Sequence, residues 1–248
     1  MENLPNQYSK TYNIVASDCN GQREVTLQFL ANKILDVATE HADILGIGYA
    51  DITPKNQAWV LARLALEMER YPKPYDTLII ETWIENINKH FSERNFCMKD
   101  TEGNIYGYAR SVWFVIDLTT RKSLDISSFD FLNSCLGNQE CPMAKMGKVR
   151  PVVEGVGFTY KVKAGDIDYN RHFNSGKQIE HILNLVSMYE LDANYIHRFE
   201  ISYMNEAHFN QELSLLRYEE APNSFAAEMK PADGSASICR CRIILKER

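Results

Sequence analysis

The sequence predicts an α+β chain of two like halves, each a long helix packed on an antiparallel sheet. Three observations carry that prediction: a helix-period apolar stripe near the start of each half, several strand-like runs after each stripe, and a polar stretch between the two series. The 248 residues are 45% hydrophobic and 24% charged, a globular composition that excludes disorder, collagen and coiled coil. A chain of this length buries a sizeable core, as one domain or two, without disulfides or metal.

Residues 7–15 read as a strand. Leu27, Leu30, Ala31, Ile34, Leu35 and Ala38 then recur at helical spacing with one apolar face. Gly46-Ile47-Gly48 follows that helix instead of linking a strand to a helix, so it reads as a C-cap and not as a phosphate loop. Strand-like runs occupy residues 59–69, 77–84, 94–99 and 106–117, separated by turn signals such as Pro72-Lys73-Pro74 and Glu102-Gly103-Asn104.

The pattern lapses after Leu132, and the expected division is a first half over residues 1–132, a linker over 133–152 and a second half over 153–248. The order then repeats. A strand over 158–162 precedes a helix from Ser175 to Leu191 with the stripe Ile179, Ile182, Leu183, Val186 and Tyr189; strands follow near 196–204, 212–219, 225–229 and 236–245. Ser175-Gly176-Lys177-Gln178 fits a capping box at the helix start. A lone helix among strands buries its stripe only by lying on the sheet.

With 27 Lys+Arg against 33 Asp+Glu, the formal charge of −6 argues against nucleic acid and anionic membranes as partners. Met1–Gln7 shows no basic start or apolar core of a leader, and no run approaches the roughly 18 apolar residues that span a bilayer, so a cytoplasmic location is expected. The six cysteines lack Cys-x-x-Cys spacing and read as free thiols. His41, His90, His181, His197 and His208 show no ligand spacing, and neither metal nor cofactor is expected.

Chemistry concentrates in Gly165-Asp166-Ile167-Asp168-Tyr169-Asn170-Arg171-His172-Phe173-Asn174, just before the second helix. If the segment is extended, Asp168, Asn170 and His172 share one side. Beside a helix N-terminus, whose free N–H groups favour negative charge on oxygen, these groups are parts for acyl transfer. The competing reading is a turn, in which Asp and Asn bond to nearby backbone and the His is solvated.

This run resembles the Asp-x-Asn-x-His segment of plant and bacterial acyl-ACP thioesterases. The first half resembles the same family at Trp59-Val60-Leu61-Ala62-Arg63-Leu64, Glu69-Arg70-Tyr71-Pro72 and Ala109-Arg110-Ser111-Val112-Trp113, so the likeness runs through most of the chain in the right order. It implies a tandem (double) hotdog fold, hydrolysis of fatty acyl-[acyl carrier protein] to free fatty acid, an acyl-chain-binding first half and a catalytic second half. Carried over position by position, it marks Asp168, Asn170, His172 and a further carboxylate, Glu206, as catalytic. The family's Cys at the next position is Ala207 here, so no Cys–His scheme is supported. Asp168 or Glu206 is left as base or as covalent nucleophile. The first-half counterpart near Asp18-Cys19-Asn20-Gly21-Gln22 has no His, which fits one active site per chain.

Acyl carrier protein is acidic, so docking needs a local basic surface; Arg171 and Lys177 flank the site, and Lys145, Lys148 and Arg150 lie in the linker. Trp59 and Trp113 read as core or as lining of an acyl tunnel; Arg63 and Arg70 belong to the matching motifs, a solvated strand face is the usual place for such charges, and their roles stay open. A homodimer is compatible with this organisation. Alternatives are an acyl-CoA thioesterase, a hotdog hydratase or dehydratase that frees no thiol, and a non-catalytic acyl-carrier binding module.

Overall fold

The computed structural model describes residues 4–248; Met1, Glu2 and Asn3, part of the segment read for a leader, lie outside the described residues. Its Cα positions fall into two compact units, residues up to 25 with 30–145, and residues 26–29 with 146–248.

In the first unit, strand β1 (Gln7–Asn13) precedes helix α1 (Leu27–Ile44), a short helix α2 (Tyr49–Ile52) and strands β2 (Gln57–Met68), β3 (Thr77–Ile87), β4 (Ser92–Lys99) and β5 (Ile105–Asp117). The strands pair antiparallel in the order β1-β3-β4-β5-β2. Helix α1 forms because Leu30, Ala31, Ile34, Val37, Ala38 and His41 return to one face, all buried. It ends where Gly46 takes φ +70, which lets Ile47 N–H reach the Ala42 carbonyl at 3.0 Å, the expected C-cap.

The helix carries a polar group into the interior. His41 Nδ1 faces Arg94 Nη1 of β4 at 2.8 Å, and Nε2 meets the Pro5 carbonyl at 3.2 Å. Arg110 of β5 pairs with Glu85 and donates from Nε and Nη2 to the carbonyls of Met143 (2.9 Å) and Cys141 (3.0 Å), fastening the segment expected as a linker. Within that segment Cys135, Met143, Val149 and Val152 are buried. Trp59 Nε1 donates to the Ile47 carbonyl and its ring packs on Phe129; Trp113 Nε1 donates to Ser111 Oγ. Arg70 is a surface charge, paired with Asp100 over the Tyr106 ring.

The second unit repeats the plan. Strand β6 (Val156–Lys161) precedes helices α3 (Ser175–Leu183) and α4 (Met188–Ala193), then strands β7 (Asn194–Tyr203), β8 (Glu212–Ala221), β9 (Ser224–Pro231) and β10 (Cys239–Glu247). The antiparallel order is β6-β8-β9-β10-β7. Here the expected single helix over 175–191 is divided. Asn184 closes α3, and Ser187 opens α4 by accepting from Glu190 N–H while Glu190 returns a bond to Ser187 N–H. Arg217 of β8 holds the break, donating to the Leu185 carbonyl and both Glu190 oxygens. The strands expected over 7–15 and 158–162 run from Gln7 to Asn13 and from Val156 to Lys161, and the strand expected over 236–245 begins at Cys239, because residues before it turn. Among the described residues no helix is long and apolar enough to cross a membrane.

Candidate active site

The loop before α3 is a tight turn and not the extended segment on which the one-sided alternation depends. Ile167 and Phe173 bridge, Asp168 N–H donates to the His172 carbonyl at 2.9 Å, and Arg171 N–H returns to the Asp168 carbonyl at 3.0 Å, with Arg171 at φ +69. The Asp168 carboxylate causes this: its Oδ1 accepts the N–H groups of Asn170 (2.9 Å) and His172 (3.1 Å), a local bond that competes with extended pairing. Asp168 and His172 are half-buried, while Asn170 and Arg171 are exposed at the tip.

The cap of α3 also lies one residue earlier than expected. Asn174 Oδ1 accepts Lys177 N–H at 3.1 Å, and Gln178 closes no box with Ser175; its Nε2 donates to the Phe173 carbonyl at 3.0 Å. Asn174 outcompetes Ser175 because its own N–H is already fixed on the Asp166 carbonyl at 2.8 Å. At N1 and N2, the N–H groups of Ser175 and Gly176 have no acceptor within the helix.

Phe173 brings the distant carboxylate in. Its N–H donates to the Ala207 carbonyl at 2.8 Å, and that one bond sets the residue before it against the residue before Ala207. His172 Nε2 lies 3.2 Å from Glu206 Oε2, both partly exposed. The structure thus gathers Asp168, Asn170, His172 and Glu206 on two touching loops of one unit. His208, set aside for want of ligand spacing, packs edge-on to His172 with centroids 5.4 Å apart. Its place two residues after Glu206 was the available signal. At position 207 the main-chain carbonyl serves the site and the side chain, fully buried, does not. Lys177 is taken up by an ion pair with Glu180 at 2.8 Å, and Lys145 by Glu93 at 3.1 Å. Among the described residues no group of three or more His, Cys, Asp or Glu side chains is arranged to hold a metal ion.

Behind the loop, Asp166 is buried with Oδ2 accepting Tyr160 OH and Lys163 N–H, both at 2.7 Å, and Oδ1 facing His181 Nε2 of α3 at 3.1 Å. Burial pushes the Asp166 carboxyl up, but the Lys163, Tyr160 and His181 hydrogen bonds outweigh it and hold it below the usual carboxylate range. Burial and this carboxylate push the Tyr160 phenol up to about 12.

Each unit thus sets five antiparallel strands with a helix laid on them, and the second bears an acid–amide–imidazole turn at a helix N-terminus, parts suited to acyl transfer. Residues 5–131 match the acyl-ACP thioesterase N-terminal domain, and residues 152–245 its C-terminal domain. The crystal structure of an acyl-ACP thioesterase from Bacteroides thetaiotaomicron is similar at 34% identity and a TM-score of 0.90, covering 97% of this chain and 98% of that one. A chloroplastic oleoyl-acyl carrier protein thioesterase 2 of Arabidopsis thaliana is 22% identical over 93% of this chain and 68% of its own length. For a chloroplastic palmitoyl-acyl carrier protein thioesterase of Gossypium hirsutum the values are 25%, 80% and 52%, so the chain spans one half to two thirds of these curated relatives. The chain belongs to the acyl-ACP thioesterase family, whose reaction is hydrolysis of acyl-ACP thioesters, and it has the family's double hotdog fold.

Proposed function

We propose that this chain hydrolyses the thioester of fatty acyl-[acyl carrier protein] by attack of water at the loop of residues 168–172, releasing free fatty acid and the carrier thiol. The observation that carries the reading is the 3.2 Å approach of His172 to Glu206 beside the α3 N-terminus. Glu206 takes a proton from water as its oxygen bonds to the thioester carbon. The carbonyl electrons move to the oxygen, which the Asn170 amide and the first-turn N–H groups of α3 stabilise. Collapse breaks the C–S bond, and the thiolate takes back the proton through His172. Asp168 keeps His172 and Asn170 in place, because one of its oxygens already accepts both of their N–H groups.

Arg171, exposed at the loop tip, is the favoured docking contact for the acidic carrier. The first unit is the acyl-chain-binding half in this proposal. Six free thiols suit a reducing cytoplasm, a location that cell fractionation tests. Pairing into a homodimer completes the reading, and light scattering tests it.

The deciding assay is thiol release from acyl-ACPs of graded chain length, with matched acyl-CoAs and the Glu206→Gln, His172→Ala and Asp168→Asn variants in parallel. Turnover on acyl-ACP that falls by about 100-fold or more in Glu206→Gln supports the proposal. Preference for acyl-CoA, conversion of enoyl or 3-hydroxyacyl thioesters without thiol, or binding without turnover refutes it in favour of the corresponding alternative.

A further inference from the structure

We infer that Asp166 and His181 are a buried positioning pair for this reaction, clamping the site loop to α3 so that His172 is aimed at Glu206; the inference rests on the proposed role of those two residues. Asp166 accepts four bonds. Its carboxylate holds β6 through Tyr160 OH, the preceding turn through Lys163 N–H and the second turn of α3 through His181 Nε2, and its carbonyl holds the Asn174 cap. The His181 ring lies on Tyr160 with centroids 4.0 Å apart and edge-on to Phe173 at 5.6 Å. Phe173 directly follows His172 and carries the N–H that reaches the Ala207 carbonyl, so a shift of the pair is transmitted to both catalytic side chains.

The first unit supplies an internal comparison at constant sequence offset. Asn20 stands for Asp168, and its Oδ1 accepts Gln22 and Glu24 N–H as Asp168 accepts Asn170 and His172. Asp18 stands for Asp166 and accepts Val15 N–H as Asp166 accepts Lys163 N–H. The turn is therefore the same in both units without an imidazole. What differs is that Glu24 stands for His172, and Lys33, paired with Asp36, stands for His181. The Tyr12 hydroxyl, counterpart of Tyr160 OH, is buried without a hydrogen-bond partner. Folding the loop thus does not require the Asp–His clamp, which occurs in the unit that also carries His172.

The experiment measures kcat and KM on one acyl-ACP for His181→Phe, which keeps a ring but no donor, and His181→Gln, which can donate to Asp166 from its Nε2, each with native His172 and in His172→Ala. Expected is a kcat loss of about 10- to 100-fold in His181→Phe with KM within about twofold, and recovery to within about threefold of wild type in His181→Gln. In His172→Ala, the His181→Phe change costs less than about twofold, because its effect passes through the missing side chain. Full activity of His181→Phe, or losses that multiply with His172→Ala, overturns the inference and leaves the site reading intact. Wild-type activity of His172→Ala itself overturns both. Should His181→Phe lose its circular dichroism, Asp166→Asn takes its place with the same expected kcat loss and the same non-additivity, and a multiplicative loss again overturns the inference.

Discussion

Acid should loosen the first unit through His41, and the amount follows from its partners. Nδ1 accepts from Arg94 while Nε2–H donates to the Pro5 carbonyl, so the neutral ring satisfies both. A proton on Nδ1 would set two donors against each other in a fully buried place. Burial, and then the Arg94 charge, lower the His41 pKa from 6.5 to about 4. A folded-state value below the unfolded one means that stability is present above pH 6.5 and is lost as pH falls towards the folded value. Over the whole span this is about 3 kcal/mol, and between pH 7 and pH 4.5 about 2 kcal/mol.

The perturbation that isolates it is His41→Gln, an uncharged side chain able to accept from Arg94 and donate to Pro5. Depressed carboxylates such as Glu40 also lose stability in acid, but they do so in both proteins and cancel. All three tryptophans, Trp59, Trp83 and Trp113, lie in the first unit, so their fluorescence reports its unfolding in urea. The variant is expected to be less stable at pH 7 by about 1 kcal/mol from lost packing on Tyr8, yet to lose about 2 kcal/mol less than wild type on going to pH 4.5. Parallel losses, within about 0.5 kcal/mol, would refute the account of a neutral buried imidazole.

Three further outcomes are expected. Asp168→Ala, which leaves the Asn170 and His172 N–H groups without their shared acceptor, should lower kcat by about 100-fold while leaving the melting temperature of the chain within a few degrees, read by thiol release and calorimetry. Arg171→Glu should raise KM for acyl-ACP severalfold with kcat little changed, and added salt should shrink the difference; an unchanged KM removes Arg171 from the docking surface. Glu228→Leu strips a buried carboxylate from Val152 N–H, Ser237 OH and Arg240, and should destabilise the second unit by roughly 3 kcal/mol in urea unfolding followed by circular dichroism.

Much of the fold was legible because hydrophobic period survives folding. The first helix's stripe, the second's as far as Val186 and the place of each strand could be read from the chain, since a face turned to a core must be apolar whatever packs on it; Tyr189, expected in the second stripe, is 88% exposed. The long second helix was misread for a physical reason: Ile179, Ile182, Val186 and Tyr189 keep helical spacing across the break, and nothing in periodicity reports that Ser187 and Arg217 stop the helix there. The candidate site divides the same way. Asp168, Asn170 and His172 were visible as an acid–amide–imidazole series, whereas their mutual arrangement was not, because Asp168 spends an oxygen on its own backbone.

By itself the sequence determined the two-unit α+β plan, the identity of the polar groups before α3 and, through residues 5–131 and 152–245, membership in the acyl-ACP thioesterase family. Only the tertiary structure decided which of those groups meet. The Phe173 to Ala207 hydrogen bond joins loops more than thirty positions apart, and from it follow the His172–Glu206 contact and the nearness of His208. So does the burial of Asp166 against His181 depend on how α3 lies beside β6. Period and composition are local properties of a chain, while the proximity of remote side chains is set by packing, which no local pattern encodes.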